Sequence, residues 1–304
     1  MVNVNFIYEL EIVFKMFETG IGRKALVKKY DELLNSNDIN AQDIWASFKE
    51  LAIRDYNSKM PIPEISLILK KIEHHYPKKS KSKVFILDHG CGSGFPDLYW
   101  IANGYTNIVC FDIYSQEKSK IYQKLNNILD FKRDVFNIYD GFSLPIDDKS
   151  IDIINSNAVV EHLPDEVYEK YFIEEGRVLK DKGISLHVIP QRLQPYDSHT
   201  QTWFVHWLPE VFHTPLVKAF GRYNPDLVLK LRTKYTHIKY INNHIGQSKD
   251  LSLEYFMNTK IKQEDYYDRQ KRGIFFQVCN LPIFKYFLPQ MFKPLLCLIL
   301  VSKK

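Results

Sequence analysis

The chain has 304 residues, of which 45% are hydrophobic and 25% are charged, and its formal net charge is +5. This composition excludes a fibrous or low-complexity protein and is typical of one large globular domain or of one domain with additions. The charge is too mild to indicate a nucleic-acid partner. Four widely spaced cysteines exclude a disulfide framework and favour a reducing compartment, which predicts a cytoplasmic protein.

Residues 1–83 are predicted to form an N-terminal helical extension. Asn40 followed by Asp43 has the pattern of a helix N-cap, and Pro63 suits the first turn of a second helix. We expect no secretory signal, and no stretch reaches the roughly 18 uninterrupted apolar residues that an integral membrane span needs. The apolar region 274–294 leaves peripheral membrane contact open.

Residues 84–190 alternate apolar runs with helical patterns, which predicts a parallel sheet with helices on both faces. Residues 237–304 are expected to complete this sheet. The segment between them, 191–236, is an insert with several histidines and two tryptophans, which we expect to face the substrate. The predicted strands are 84–87, 108–111, 129–133, 151–155, 184–189, 237–241 and 294–302, and the predicted helices of the core are 95–102, 116–127 and 164–179.

A glycine-rich turn follows the first predicted strand of this core. Gly90, Gly92 and Gly94 lack the Cβ atoms that would hold a ligand away from the backbone. A strand, such a turn and a helix form the geometry by which an α/β sheet binds a ligand through its backbone. Asp112, at the end of the next apolar run, lies at about the spacing at which a carboxylate reaches a ribose diol. The pattern predicts an adenosine-containing cofactor.

Further residues narrow this prediction to one cofactor. Phe95 stands where a dinucleotide fingerprint needs glycine, and Asp88 precedes the first glycine by two residues. The resulting D-x-G-x-G-x-G resembles motif I of the class I S-adenosylmethionine (SAM)-dependent methyltransferases. Residues 150–163, which end in E-H-L, resemble the fourth strand of that family, and 174–183 resemble its E-x-x-R-V-L-K-x-x-G element. The resemblance implies SAM as the cofactor and a Rossmann-like, doubly wound α/β fold with a mostly parallel seven-stranded sheet.

The resemblance also implies a set of cofactor contacts. The glycine turn approaches the methionine part of SAM, Asp88 interacts with its amino group, and Asp112 accepts hydrogen bonds from the ribose hydroxyls. Asp134 takes the place of the acid that meets the adenine amino group, although Leu144 comes ten residues after it, which departs from the family pattern. The predicted cofactor residues are Asp88, Gly90, Cys91, Gly92, Gly94, Asp112, Ile113, Asp134, Val135, Asn155 and Asn157.

Two histidines are candidates for a general base. His162 follows the fourth strand, and His199 lies in the insert after Asp197. Either imidazole has a pKa suited to taking a proton from an oxygen acceptor, and for His162 a structural role at the start of the next helix stays open. His199, His206 and His213 are spaced by seven, which is not the i, i+4 spacing of a metal-binding helix face. No metal site is therefore predicted.

The sequence thus predicts a SAM-dependent methyltransferase with a small-molecule acceptor. O-methylation of a sugar, a lipid or a secondary metabolite is expected, because methyl transfer mainly needs the acceptor held in line in a dry pocket. A protein or RNA methyltransferase is an alternative, although no basic face or recognition module indicates one. A non-catalytic SAM-fold protein that binds a partner, or a membrane-peripheral subunit, is the alternative from another class.

Overall fold

The computed structural model describes residues 21–58, 61–197, 199–221, 229–256 and 293–303. These residues form strands and helices in alternation after three N-terminal helices. The strands are β1 (Ile86–His89), β2 (Ile108–Ile113), β3 (Phe136–Tyr139), β4 (Ile151–Asn157), β5 (Leu179–Ile189), β6 (Tyr196–Asp197), β7 (Thr202–Trp203), β8 (Gln247–Asp250) and β9 (Leu298–Lys303). The helices are α1 (Ile21–Asn35), α2 (Asp38–Tyr56), α3 (Pro63–His75), α4 (Phe95–Ala102), α5 (Gln116–Leu129), α6 (Asp165–Val178), α7 (His213–Phe220), α8 (Lys234–His244) and α9 (Ser252–Phe256).

Seven of the strands form one sheet in the order β3-β2-β1-β4-β5-β9-β8. Neighbours from β3 to β5 are parallel, whereas β9 is antiparallel to both β5 and β8. The order reverses between β1 and β4, and such a reversal opens a crevice at the carboxyl ends of the strands. The predicted fold class is confirmed.

Neighbouring side chains of the central strands point to opposite faces of the sheet. Ile86 packs into a core that it shares with α1 to α5, and Leu87 packs into a second core with α6 and α8. Both side chains are fully buried. The uninterrupted apolar runs of β1, β2 and β4 follow from this, because each strand is covered on both faces.

The first core joins the N-terminal helices to the glycine turn. The rings of Tyr30 in α1 and Phe48 in α2 meet Phe95 of α4 edge to face, at centroid distances of 5.4 and 6.0 Å. The Tyr30 hydroxyl also donates a hydrogen bond to the carbonyl of Ser93. The described part of the extension is therefore packed against the turn that follows β1.

Two predicted helix and strand boundaries near the first core are wrong. The N-cap of α2 is Asn37 rather than Asn40, because the Asn37 side chain accepts from the backbone N–H of Asn40. The third strand is not 129–133, since α5 runs on to Leu129. β3 begins at Phe136, where the side chain of Asn126 accepts from the backbone of the incoming chain at 3.0 Å.

The strand predicted at 237–241 is also wrong. Thr233 caps a helix there by accepting from the backbone N–H of Thr236, so the apolar residues of the segment form one face of α8. The edge strand is β8, a polar tetrapeptide without an apolar run to mark it. The strand predicted at 294–302 is found as β9.

The insert contributes the hairpin of β6 and β7 followed by α7. None of the described helices is both long enough and apolar enough to cross a membrane. Residues 274–292, to which the expected membrane contact mainly refers, and residues 1–20 lie outside the described ranges.

Candidate functional site

The carboxyl ends of four parallel strands meet along one edge of the sheet. β1 ends at His89, β2 at Ile113, β3 at Tyr139 and β4 at Asn157. In this topology the edge forms the ligand crevice. The residues that follow each strand are therefore the ones to inspect for chemistry.

The three glycines after β1 have positive φ angles of 92°, 57° and 77°. A Cβ at Gly90 would come within 2.4 Å of the Val159 side chain, and one at Gly94 would come within 2.5 Å of Phe136. A Cβ at Gly92 would meet nothing within 4 Å. Gly90 and Gly94 are thus required by packing, whereas Gly92 leaves open space at the crevice for a ligand.

Asp112 lies beside this open space and is held by three donors. Its carboxylate accepts from the backbone N–H of Gly92 at 2.8 Å, from that of Ile113 at 2.7 Å and from Lys118 Nζ at 2.7 Å. Charge-assisted bonds of this kind fix the ionised carboxylate in one orientation. The predicted neighbour Ile113 is 55% exposed at the end of β2, where an apolar ligand surface can contact it.

Asp88 is buried at the end of β1, and Asn155 of β4 donates to its Oδ1 at 2.7 Å. Burial raises the pKa of Asp88 to about 6, and the bond from Asn155 opposes that rise. The fully buried Asp97 of α4 lies beside it, and burial together with the Asp88 charge holds the pKa of Asp97 well above its usual range. Asn155 therefore positions Asp88, while Asn157, two residues later, is exposed at the crevice.

The side chain of Cys91 points away from the crevice. It is buried, with its Sγ 3.1 Å from the hydroxyl of Tyr122, which donates to the carbonyl of Gly92 at 2.7 Å. Only the backbone of Cys91 is thus available to a cofactor.

The predicted adenine contacts at Asp134 and Val135 are wrong. Ile138 pairs with Asp112, so Asp134 lies four residues, or about 13 Å, before the crevice along the strand direction. Asp134 is exposed at the opposite edge of the sheet, and Val135 is 1% exposed in the core.

Asp140 is the residue that the sequence reasoning missed. It directly follows β3 at the crevice, where its Oδ1 accepts from the backbone N–H groups of Phe142 and Ser143 at 2.8 and 3.0 Å. These bonds lower its pKa. The sequence itself indicates Asp140, because this residue stands only four residues before Leu144. The spacing from Asp134 to Leu144 is ten residues, which is longer than the family pattern.

A buried polar network, which the sequence analysis did not predict, includes the residue directly before the glycine turn. Glu175 of α6 bonds to His89 Nδ1 at 3.0 Å and to His187 Nε2 at 2.7 Å. The His89 ring stacks on Tyr171 at 3.9 Å, and its Nε2 lies 2.8 Å from the hydroxyl of Tyr139. Although burial opposes it, the two imidazoles lower the pKa of Glu175 to about 2.

The two predicted histidines lie together on the other side of the crevice. The rings of His162 and His199 are 5.4 Å apart, and one ligand atom from each lies within 4.8 Å of the others in a group with Glu161. We call these three residues the Glu–His–His cluster. Asp112 and Lys118 are close enough to His162 to influence its pKa, so the cluster lies at the same edge of the sheet as Asp112.

The pKa values of the three residues in the cluster are shifted in different directions. Burial lowers the pKa of His162, whereas the bond to Asp197 raises that of His199. Burial raises the pKa of Glu161 to about 7. His206 shares Asp197 with His199, and its ring lies 5.2 Å from that of His213, whose Nε2 bonds to the carbonyl of Leu208.

Comparison with known proteins identifies the central part of the chain. Residues 87–186, about a third of the chain, match the Methyltransf_11 model of a methyltransferase domain. No curated protein matches the sequence.

Solved structures that are similar to the chain include the following three, each at low sequence identity. One is a putative sarcosine dimethylglycine methyltransferase from Galdieria sulphuraria, with 14% identity, a TM-score of 0.45, and 79% of this chain and 83% of that chain covered. Another is a geranyl diphosphate C-methyltransferase from Streptomyces coelicolor A3(2), with 10% identity, a TM-score of 0.47, and 90% and 87% covered. A third is a SAM-dependent methyltransferase from Mesorhizobium loti, with 12% identity, a TM-score of 0.46, and 80% and 97% covered.

The matched domain spans the glycine turn, Asp112 and the strand that precedes the Glu–His–His cluster. The open space at Gly92 and the carboxylate beside it fit an adenosine-containing ligand. Residues 87–186 therefore match a methyltransferase domain, with SAM as its cofactor.

Proposed function

We propose that this protein is an enzyme that transfers the methyl group of SAM to a hydroxyl group of a small molecule. The observation that carries the proposal is the Glu–His–His cluster beside the cofactor edge, because a hydroxyl acceptor must lose its proton and a methyl donor alone does not remove it. Asp112 influences the pKa of His162, which supports a common crevice for donor and acceptor.

The cofactor contacts belong to the same proposal. The backbone at Gly92 faces the methionine part, Asp112 accepts from the ribose hydroxyls and Asp140 meets the adenine amino group. Asp88, ionised above about pH 6, attracts the ammonium group of the cofactor. Each role follows from an acceptor placed at the carboxyl edge of its strand.

The chemistry that SAM supplies is an in-line displacement, in which the acceptor oxygen bonds to the methyl carbon while the S–CH3 bond breaks and its electron pair stays on sulfur. The residues of this chain hold the acceptor in line and exclude water, and proximity of this kind supplies a large share of the acceleration. To His162 and His199, whose rings are 5.4 Å apart, we assign the removal of the hydroxyl proton.

Exposed apolar side chains of the insert, which also contributes His199, favour an apolar acceptor, a lipid or an apolar metabolite, over a sugar. His206, which bonds to Asp197 next to the cluster, begins a segment whose large apolar side chains are unusually exposed. These are Trp207 (45%), Leu208 (42%), Val211 (75%), Phe212 (53%) and Phe220 (80%).

Two measurements test the proposal. Calorimetric titration with SAM is expected to give saturable binding that Asp112→Ala weakens about 100-fold, since the variant loses a charge-assisted acceptor and leaves Lys118 unpaired. Asp181→Ala, on an exposed ion pair, is the matched control and should bind normally. An absence of saturable SAM binding by the parent protein would refute the proposal that it is a SAM-dependent enzyme.

Incubation of a cell extract with methyl-labelled SAM then identifies the acceptor. Label is expected in the organic-soluble, low-molecular-mass fraction. Label confined to protein or RNA would instead establish the macromolecular alternative, and SAM binding without transfer to any fraction would support a non-catalytic binding protein.

A further inference from the structure

We propose that the Glu–His–His cluster binds a divalent transition-metal ion, with Glu161, His162 and His199 as its protein ligands. Binding of the ion does not depend on the proposed function. Its role does rest on that function: an acceptor hydroxyl that also contacts the ion loses its proton more readily, and the histidines then act as ligands rather than as bases.

The donor set suits such an ion. Two imidazoles and one carboxylate are the ligands found in sites for Zn²⁺, Fe²⁺ and Co²⁺ that keep positions open for substrate. The three ligand atoms lie within 4.8 Å of one another. Bonds of about 2.1 Å require separations of about 3.4 Å, a closure to which the exposed side chain of His162 can contribute by rotation.

Glu161 supplies the second, independent observation. Its side chain is 1% exposed, and neither carboxylate oxygen has a hydrogen-bond partner among the residues that the structure describes. A buried carboxylate without a partner is costly, and buried charges are ordinarily paired or coordinate a metal. Since Glu161 lies in a group with two imidazoles, a cation between them is the natural partner.

A second layer of contacts already orients one of the ligands. Asp197 Oδ1 lies 3.5 Å from His199 Nδ1 and accepts from the His199 backbone N–H at 2.9 Å. Its other oxygen is held by Thr200 at 2.6 Å and His206 at 3.1 Å. With Nδ1 turned towards Asp197, Nε2 of His199 is left for the ion, which is the carboxylate–histidine–metal arrangement of many metal sites.

The position of the cluster explains what the ion does. Glu161 and His162 belong to the short helical turn that directly follows β4, and His199 reaches them from the turn between β6 and β7. With three protein ligands the ion keeps at least one position for an acceptor oxygen. Coordination lowers the pKa of that hydroxyl, its proton passes to solvent, and the alkoxide then takes the methyl group.

Metal binding is tested directly, without an activity assay. The full chain is stripped with EDTA, dialysed and titrated with Co²⁺, whose visible absorption reports its coordination, and with Zn²⁺ in a thermal-shift assay. We expect one equivalent to bind and to raise the melting temperature. Glu161→Gln and His199→Asn should weaken binding about 100-fold or more, whereas His213→Gln, a histidine of the same insert, should bind as the parent does.

The outcomes are distinct. The proposed metal site is refuted if the parent binds no metal ion, or if the parent and Glu161→Gln bind it equally weakly. If SAM still binds in that case, the proposed function is unaffected. Metal binding without SAM binding supports the site and refutes the proposed function. Circular dichroism of each metal-free variant excludes misfolding, and His162→Asn, at an exposed position, provides a second ligand variant should Glu161→Gln not fold.

Discussion

The two sides of the crevice differ in how far their polar groups are satisfied. On the cofactor side, Asp112 has three donors and Glu175 two imidazole partners, all within hydrogen-bond distance. On the side of the Glu–His–His cluster, Glu161 is buried without a hydrogen-bond partner in the described ranges, and large apolar side chains of the insert are exposed. Polar groups that are already paired are preorganised for a ligand. A buried carboxylate without a partner, in contrast, gains its partner only when a ligand binds.

The sharpest test of this contrast uses the two buried glutamates. Glu175→Gln should lower the free energy of unfolding by about 3 kcal/mol, because the change removes the charge that two buried imidazoles share. Glu161→Gln should leave the stability of the metal-free protein unchanged or raise it, since a neutral amide is less costly to bury than an unpaired carboxylate.

Urea unfolding of both variants beside the parent measures this difference. Equal destabilisation by the two substitutions would mean that Glu161 has a partner after all, and the contrast between the two sides would then be lost.

Substitutions of two glycines in the turn distinguish a role in packing from a role in cofactor binding. Gly90→Ala should destabilise the fold by about 2 kcal/mol, because its Cβ would lie 2.4 Å from Val159 at a positive φ. Gly92→Ala has open space around it, so we expect a smaller loss of stability but a SAM affinity roughly tenfold lower, as the methyl group enters the ligand space. Melting temperature and calorimetry on both variants check this, and unchanged affinity of Gly92→Ala would place the cofactor elsewhere.

Asp134 and Asp140 form a matched pair on either side of β3. Asp140→Ala should weaken SAM binding about tenfold by removing an adenine acceptor at the crevice, whereas Asp134→Ala, at the opposite edge of the sheet, should have no effect. Calorimetric dissociation constants for the two variants decide between the positions. A loss confined to Asp134→Ala would restore the original sequence prediction.

The pH dependence of SAM binding should reflect Asp88. Because burial raises its pKa to about 6, the carboxylate is protonated as the pH falls from 7.5 to 5, and affinity for the cationic amino group should fall several-fold over that range. Asp88→Asn should bind more weakly at pH 7.5 and show a flatter profile. An unchanged slope in this variant would assign the pH dependence to another group.

Sequence patterns predicted the parts of the fold that local chemistry determines. The strand, glycine turn and helix at the start of the core, and β4 followed by α6, lie within a few residues of their predicted positions, because apolar runs and glycines mark them directly. β8 carries no such mark: it is a polar edge strand whose pairing with β9 depends on a partner about 50 residues away.

The candidate site divides in the same way. The glycine turn and Asp112 lie where spacing along the chain indicates them, but the error at Asp134 arose because the boundary of β3 depends on the side chain of Asn126. The approach of His199 to His162 depends on how the insert folds back over β4, so no spacing in the sequence expresses it. The network around Glu175 joins three separate elements and was equally hidden.

The antiparallel strand β9 also has a consequence for the order in which the chain acquires its structure. Ile189 of β5 pairs with Leu298, and Gln247 of β8 pairs with Lys303. Both strands can therefore form these pairs only after β9 has been synthesised. During synthesis the edge of β5 stays open while more than 100 residues are added, and pairings over such separations form slowly. An open edge beside an apolar core can pair with other chains until β9 covers it.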